Sequence, residues 1–227
     1  MANLSLSTES ISTLASEVSD FGGSRAGSYG TSVSEEEQED HFIQDAAVSL
    51  YDSLRDGVTS DVVQLELVSL RMTANASDNQ VRRAVVSAFM KRTQQLMEEG
   101  KAAGEIIRAI FGTYREIVER CMFDRESVTK TDQVDFLLLL QQDLVTRPRG
   151  ETVLLFTAKE LYDLELLEEE AYEQWWADER SSNTDDMKKV RSQTQQFVDW
   201  LANAEEEESS EEEDEEEEEE NKTGDWN

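Results

Sequence analysis

From about residue 40 to residue 204, apolar side chains recur at intervals of three and four positions, the period of an amphipathic helix. The β-branched alternation typical of strands is missing, and the chain has one proline, Pro148. The pattern predicts helices near residues 38–56, 60–73, 77–99, 102–121, 131–145, 150–162, 166–179 and 184–206. Gly57 is expected to end the first helix, Ser77 or Asp78 to cap the third, and Gly100 to end it.

Eight helices with short connections favour an all-α fold, with about four antiparallel helix pairs stacked in the HEAT manner. No sequence repeat is clear enough to prove a stack, so a compact irregular bundle stays an alternative. Residues 134–145, VDFLLLLQQDLV, are apolar almost all round. They are predicted to form the central helix, covered on two sides.

The two ends of the chain differ in composition from its middle. Residues 1–37 are rich in Ser, Thr, Gly and acids, and such a segment cannot bury enough apolar surface to offset the entropy of ordering. The sequence therefore predicts a disordered linker over residues 1–37, a helical domain over 38–206 and a disordered acidic tail over 207–227.

The net charge is −31, and residues 205–220 hold 14 of the 52 acidic side chains. Without that run the charge would still be about −17, so the body is acidic as well. Such a field repels nucleic acid and anionic membranes and attracts basic protein surfaces. The expected partners are therefore rich in lysine or arginine, with no direct contact to nucleic acid or membrane.

Two residues limit the possible chemistry, because the chain has one cysteine, Cys121, and one histidine, His41. A disulfide within the chain, a Cys/His zinc site and a Ser-His-Asp triad are thereby excluded. Cys121 is predicted to be a small core residue and His41 to be exposed. No basic leader and no stretch of about 18 apolar residues is seen, so a soluble intracellular protein is expected.

Two segments combine aromatic rings with carboxylates, at residues 161–179 and 197–220. One helical face of the first segment is predicted to be core: Leu164, Leu167, Ala171 and Trp175. Tyr162 and Trp176 cannot both join that face, which leaves a large aromatic among carboxylates, a setting that suits lysine. The alternative is that the rings are core and the acids only solvate the surface.

The paired runs EEEAYEQWW and FVDWLANAEEEESSEEE resemble two acidic-aromatic boxes. These boxes close the C-terminal HEAT domain shared by the epsilon subunit of eukaryotic translation initiation factor two-B, by initiation factor five and by some translation scaffold proteins. The run LELVSLRMTANASDNQVRRAVVSAF, residues 65–89, resembles the epsilon subunit in particular, where it opens the exchange domain. The resemblance covers residues 40 to about 215.

The resemblance implies guanine nucleotide exchange on translation initiation factor two: GDP release from its G subunit by differential binding, without covalent chemistry, cofactor or metal. The family's essential glutamate falls on Glu66, and Leu65 beside it is the other implied catalytic residue. Arg71 and Thr73 are weaker candidates. Without the resemblance, Glu66 would be a solvated helix residue or an ion-pair partner of Arg71.

The resemblance also implies that the acidic-aromatic boxes bind lysine-rich blocks in the beta subunit of that factor. The implied contact residues are Tyr162, Glu168, Glu169, Glu170, Trp175, Trp176, Trp200, Glu205, Glu206, Glu207 and Glu208. The implied location is the cytoplasm. Contacts with other exchange-factor subunits are expected to use N-terminal domains that this sequence lacks.

Two other functions remain open. An adaptor of the initiation factor five type would bind the same lysine blocks without exchange activity, and a poly-acidic chaperone would bind basic proteins through the tail alone. Ser209 and Ser210 each have an acid three residues on, Glu212 and Glu213, the pattern that acidophilic kinases select. We predict that both are phosphorylated.

Overall fold

The computed structural model describes residues 35–123 and 130–203. Within these ranges the chain forms helices and turns and contains no strand. The α-helices are, in chain order, α1 (Glu35–Asp56), α2 (Ser60–Ala74), α3 (Asp78–Glu98), α4 (Ala103–Thr113), α5 (Arg115–Met122), α6 (Lys130–Val145), α7 (Gly150–Asp163), α8 (Glu169–Ala177) and α9 (Asp185–Arg191). The predicted all-α class is confirmed, and the helix packing is consistent with a HEAT-type stack.

The predicted caps of the first helices are confirmed. Gly57 follows α1 with φ +69°, a conformation that glycine adopts without strain. Ser77 and Gln80 form a capping box at the start of α3: Ser77 Oγ accepts from the Gln80 amide at 3.3 Å, and Gln80 Oε1 accepts from the Ser77 amide at 2.7 Å. Asn75 ends α2 in the left-handed region, at φ 51°.

The prediction of one helix over residues 102–121 is wrong, because α4 and α5 are separate and meet at Tyr114. Tyr114 has φ −108° and ψ 26°, outside helical values. Its ring packs against Phe89, and its hydroxyl donates to the Val58 carbonyl at 2.8 Å, in the turn between α1 and α2. The apolar period is the same on both sides of the break, so the sequence pattern did not reveal it.

Helix α6 is central, as predicted. It packs against α3, α7, α8 and α9, and its side chains are buried on several sides. The next helix, α7, begins at Gly150. A Cβ atom there would lie 2.2 Å from the Leu144 carbonyl oxygen and 3.0 Å from Val190 Cγ2, so α7 can start this close to α6 because Gly150 has no side chain.

The last two predicted helices are shorter than expected. Helix α8 starts three residues later than predicted, after a turn in which Glu165 has φ 53°. The predicted helix over 184–206 is divided into α9, a 3₁₀ turn at Ser192–Thr194 and a second helical stretch over residues 195–203. Another 3₁₀ turn, Glu179–Ser182, precedes α9.

The predicted domain boundaries are largely untested. Residues 35–37, assigned to the linker, belong to α1. The rest of the linker and the whole acidic tail lie outside the described residues, so both stay predictions.

Candidate partner-binding surfaces

Helix α2 exposes an apolar face. Four residues spaced by three or four positions form it, and we call them the α2 stripe: Val62, Leu65, Val68 and Met72. Leu65 is 70% exposed and Met72 is 77% exposed, whereas Val63 and Leu67 on the opposite face are buried. The stripe presents a contiguous row of large apolar side chains to water.

Glu66 points away from this stripe and towards α1. Its Oε1 accepts a hydrogen bond from Ser49 Oγ, and its Oε2 accepts one from Ser53 Oγ at 2.8 Å. The side chain is half-buried. Arg71 pairs instead with Asp78 at 2.7 Å, so neither alternative for Glu66, a solvated residue or a partner of Arg71, describes its position.

The two serines are functional candidates that sequence reasoning missed. Ser49 and Ser53 lie four residues apart on α1 and therefore on one face of it. The sequence did contain a signal for this contact: two hydroxyl residues four positions apart on one helix, followed by a helix with a single interior glutamate. Thr73 makes a local contact, since its Oγ1 donates to the Ser69 carbonyl at 2.8 Å.

A cleft of about 530 Å³ lies between α2, α3, α5 and the start of α6, and we call it the arginine cleft. Three arginines and two aspartates line it: Arg71, Arg82, Arg120, Asp78 and Asp132. On a chain with net charge −31, this is a local excess of positive charge.

Cys121 lines the same cleft and is partly buried against the core, near its predicted place. Burial raises the pKa of its thiol to about 11. Since the thiolate is the reactive form, Cys121 is a weak nucleophile at neutral pH. His41 is exposed, as predicted.

Trp175 is fully buried, and its indole Nε1 donates to Gln141 Oε1 at 2.9 Å. Gln141 Nε2 in turn donates to the carbonyls of Ser181 and Met187, at 2.8 and 2.9 Å, so this network ties α6 and α8 to α9. Its burial contradicts the assignment of Trp175 as a partner-binding residue. The helical-face prediction that placed it in the core is confirmed for Trp175, Leu167 and Ala171. The fourth predicted member, Leu164, is only partly buried, because it ends α7 and lies before α8.

Trp176 is half-buried, and one face of its ring is occupied. The guanidinium carbon of Arg191 lies 4.2 Å from the ring centroid, and Arg191 Nη1 donates to the Trp176 carbonyl at 2.8 Å. Burial lowers the pKa of Arg191. A partner lysine therefore cannot use that face without displacing a cation of the same chain.

Trp200 is 54% exposed and is therefore more accessible to a partner than Trp176. It stacks on Phe197 with ring centroids 6.0 Å apart and meets Tyr162 edge-on at 6.1 Å. We call Tyr162, Phe197 and Trp200 the aromatic cluster. The three rings border a cleft of about 450 Å³, which Lys159 and Asp163 also line.

A larger cleft of about 940 Å³ adjoins the aromatic cluster, and we call it the acidic cleft. Six carboxylates line it: Glu119, Asp163, Glu165, Glu168, Glu169 and Glu170. Three of them stand at the N-terminus of α8, where the helix dipole favours negative charge. Tyr162 lines both this cleft and the smaller aromatic one, so rings and carboxylates share one surface.

The other predicted contact residues, Glu205 to Glu208, lie outside the described residues, as do Ser209 and Ser210. In the part of the chain that the structure describes, no group of three or more His, Cys, Asp or Glu side chains is placed to hold a metal ion. Over the same residues, each helix is too short or too polar to cross a membrane.

Comparison with known proteins shows what this chain is similar to. Residues 132–211 match the family described as W2: eIF4-gamma/eIF5/eIF2-epsilon. We call these matched residues the W2 region, and they take in α6 from Asp132 onwards and the described helices that follow it.

One relative shares much more of the chain. Translation initiation factor eIF2B subunit epsilon of Schizosaccharomyces pombe is 32% identical over 181 residues, 80% of this chain. The resemblance to the C-terminal domain of that subunit is confirmed. The chain spans about a quarter of the relative's length, because the match covers 25% of it.

Proposed function

We propose that this chain is an exchange domain that acts on translation initiation factor two and promotes release of GDP from its G subunit. The observation that carries the proposal is the extent of the match to the epsilon subunit. A contiguous match of 181 residues within 227 must include residues 47–181, so it takes in α2 and Glu66 besides much of the W2 region. An adaptor of the initiation factor five type shares the W2 region, but by resemblance it lacks the run at residues 65–72.

The α2 stripe and Glu66 are suited to work together on a G protein. The stripe offers apolar area that a partner can bury. An ionised carboxylate has about four acceptor sites, so Glu66 can keep both serine hydroxyls and still bind a cation or lysine of the G subunit. The serines hold the carboxylate in position beforehand, which lowers the entropy lost on binding.

The exchange itself then needs no covalent step. A carboxylate fixed at the nucleotide site competes for a lysine or cation that otherwise holds phosphate and Mg²⁺. If the surface binds the nucleotide-free G subunit more tightly than the GDP-bound form, the barrier to GDP release falls.

The acidic cleft and the aromatic cluster form a second contact in this proposal, with lysine-rich blocks of the beta subunit. A lysine stem can pack on Trp200 while its ammonium lies among the carboxylates of Glu168, Glu169 and Glu170. Glu205 to Glu208 follow Trp200 in the chain, and by this proposal their carboxylates bind further lysines of the same blocks. This contact tethers the substrate, and the α2 face acts on the nucleotide.

By the same proposal the protein works in the cytoplasm, as part of an exchange factor whose other subunits are bound by other regions. A poly-acidic chaperone is less well supported, because only the tail argues for it and the match to the epsilon subunit extends well beyond the tail.

The test is the rate at which labelled GDP leaves translation initiation factor two when the chain is present in catalytic amount with excess GTP. We expect acceleration; binding without acceleration would instead indicate an adaptor or a chaperone.

Two valines supply a matched pair of variants, since Val68 on α2 is 48% exposed and Val48 on α1 is 50% exposed. Val68→Asp should slow release and Val48→Asp should not, and equal loss in both would refute a specific role for the α2 stripe.

A further inference from the structure

The arginine cleft is not used by the proposed contacts, although it lies beside the α2 stripe. Three guanidinium groups line it against two carboxylates, while the chain as a whole is strongly acidic. A guanidinium presents a rigid fork of donors that matches a carboxylate in two-point hydrogen bonds. The cleft is therefore suited to a ligand with several carboxylates.

The contacts within the cleft leave room for such a ligand. Arg82 Nε donates to the Cys121 carbonyl at 2.9 Å, and this bond holds the guanidinium in place. Arg120 donates to Gln64 Oε1 and pairs with Glu116 at 3.7 Å, between exposed side chains. The Arg71–Asp78 pair has both side chains at least half exposed. An exposed pair of this kind is worth about 0–1 kcal/mol, so an incoming carboxylate can replace Asp78 at little cost.

The edge of the cleft is apolar. Val68 belongs both to the cleft lining and to the α2 stripe, and Met72 follows it one helical turn later. A ligand that fills the cleft and crosses this edge would combine carboxylates with a large apolar or aromatic side chain, since methionine sulfur makes favourable contacts with aromatic rings.

The end of this chain has that chemistry. Residues 211–220 are ten consecutive acids, and Trp226 follows six residues later. We propose that residues 211–227 bind the arginine cleft of their own chain, with glutamates on Arg71 and Arg120 and with Trp226 on Val68 and Met72.

The tail can reach the cleft. At about 3.3 Å per extended residue, the 24 residues after Asn203 span roughly 80 Å, about twice the diameter expected for a domain of this size.

A tethered occupant is favoured over an acidic partner. An external anionic protein must approach a chain of charge −31. The tail meets the cleft at an effective concentration that short linkers raise to about the millimolar range. A weak contact, too weak to bind a free partner, is then enough to hold the tail.

The contact would regulate the proposed exchange surface, and this consequence rests on the proposed function, whereas the contact itself does not. A bound tail covers part of the α2 stripe. A lysine-rich segment of the substrate competes for the same glutamates and releases the tail, so substrate capture uncovers the exchange face. A tail bound about 80% of the time would weaken binding of the G subunit about fivefold.

The contact can be tested with a nitroxide on residue 227, using Asn227→Cys in a Cys121→Ser background. We expect paramagnetic broadening of the Met72 methyl group. The methyl group of Met97 serves as reference, since it lies about 22 Å from Arg82 along α3. Arg71→Glu with Arg120→Glu should abolish the broadening, and so should Trp226→Ala or an added oligolysine peptide.

The matched control is Arg55→Glu with Lys101→Glu, two exposed positions that give the same charge change. It should leave the broadening intact. Broadening that is absent in the parent, equal in the two double variants, or dependent on protein concentration would overturn the contact.

The regulatory consequence is tested with the isolated G subunit and a chain ending at Ser210, which keeps Glu205 to Glu208. This chain should bind the G subunit about fivefold more tightly than the full chain; equal affinities would refute regulation. If neither chain accelerates GDP release, the proposed function fails, while the Met72 measurement still decides whether the tail binds the cleft.

Discussion

The region around α2 and the region around α8 place their apolar and charged side chains in opposite ways. On α2 the apolar stripe faces water, and Glu66 is held by two serines of α1. In the W2 region Trp175 and Tyr172 are fully buried, whereas Asp163, Glu165 and Glu168 of the acidic cleft are exposed. Trp175 of the W2 region is thus a structural residue, whereas the exposed Leu65 of α2 is a candidate contact for a partner.

The difference predicts two kinds of binding. A contact through the α2 stripe gains free energy mainly from apolar burial, which salt affects little. A contact through the acidic cleft gains from attraction between charges, which salt screens beyond about 10 Å at 0.1 M. Titrating salt should therefore weaken the second contact much more than the first.

The largest effect is expected from Trp175→Ala. Removing a buried ring leaves a cavity and costs about 3–5 kcal/mol in the free energy of unfolding, and the amide of Gln141 loses its indole partner. Trp200→Ala, at a 54% exposed position, should cost no more than about 1 kcal/mol. Urea unfolding measures both, and equal losses would contradict the contrast between a core and a surface tryptophan.

Leu65→Asp should have the next largest effect, on activity. Loss of a central interface contact of about 2 kcal/mol corresponds to a roughly thirtyfold slower exchange, whereas the free energy of unfolding should change by less than about 0.5 kcal/mol because Leu65 is exposed. Rates of GDP release and urea unfolding check the two parts. Normal exchange by this variant would remove the α2 stripe from the proposed mechanism.

Glu66→Ala should be less benign than an exposed substitution. It leaves the half-buried hydroxyls of Ser49 and Ser53 without their acceptor, which costs about 1 kcal/mol in the free energy of unfolding. Glu66→Gln keeps an acceptor oxygen and should cost less.

Glu66→Ala and Glu66→Gln also distinguish two roles of Glu66 in exchange, its negative charge and its hydrogen bonds to α1. If the carboxylate binds a cation of the G subunit, Glu66→Gln loses exchange although it stays folded. A further variant, Ser49→Ala with Ser53→Ala, frees the carboxylate without removing it. Glu66→Gln keeps the hydrogen bonds to α1 but removes the charge, whereas the double serine variant keeps the charge but removes those bonds. If the first variant is fully active and the second is inactive, the role of Glu66 is only to position α2.

Capture of a lysine-rich peptide should fall several-fold with Trp200→Ala and with Glu168→Gln, and less with Trp176→Ala, because Arg191 already covers one face of that ring. Titration calorimetry at two salt concentrations measures this. Binding that ignores salt, or that depends on Trp176 more than on Trp200, would exclude the electrostatic and aromatic account.

The smallest effect is expected from phosphorylation of Ser209 and Ser210, which adds about −1.5 to −2 charges each to a run that is already acidic. Peptide affinity should rise about twofold after treatment with an acidophilic kinase. The Ser209→Ala, Ser210→Ala variant is the control, and modification of other residues alone would rule the sites out.

Much of the fold followed from the apolar period. The positions of α1, α2, α3, α6 and α7, a cap at Ser77 and the central place of α6 depend on local pattern, and the structure confirms them. The break at Tyr114 was not predictable, since it results from a hydroxyl bond to Val58, which is distant in sequence.

The candidate sites were less predictable for the same reason. Sequence similarity pointed to Glu66, but its contact with Ser49 and Ser53 arises only when α1 packs beside α2. The helical pattern did place Trp175 rather than Trp176 in the core, but it could not predict the Gln141 partner of the buried indole or the Arg191 guanidinium over Trp176. The arginine cleft gathers residues from four helices and has no sequence signature.

Gly150 gives the protein a point of low mutational tolerance. Every single-base change of a glycine codon that alters the residue and keeps the chain intact adds a side chain, and any Cβ at this position meets the Leu144 carbonyl oxygen. No single-base amino-acid substitution at residue 150 is therefore expected to be neutral for stability. We therefore expect the close approach of α6 and α7 to be retained, while residues on the surfaces of both helices can still be substituted.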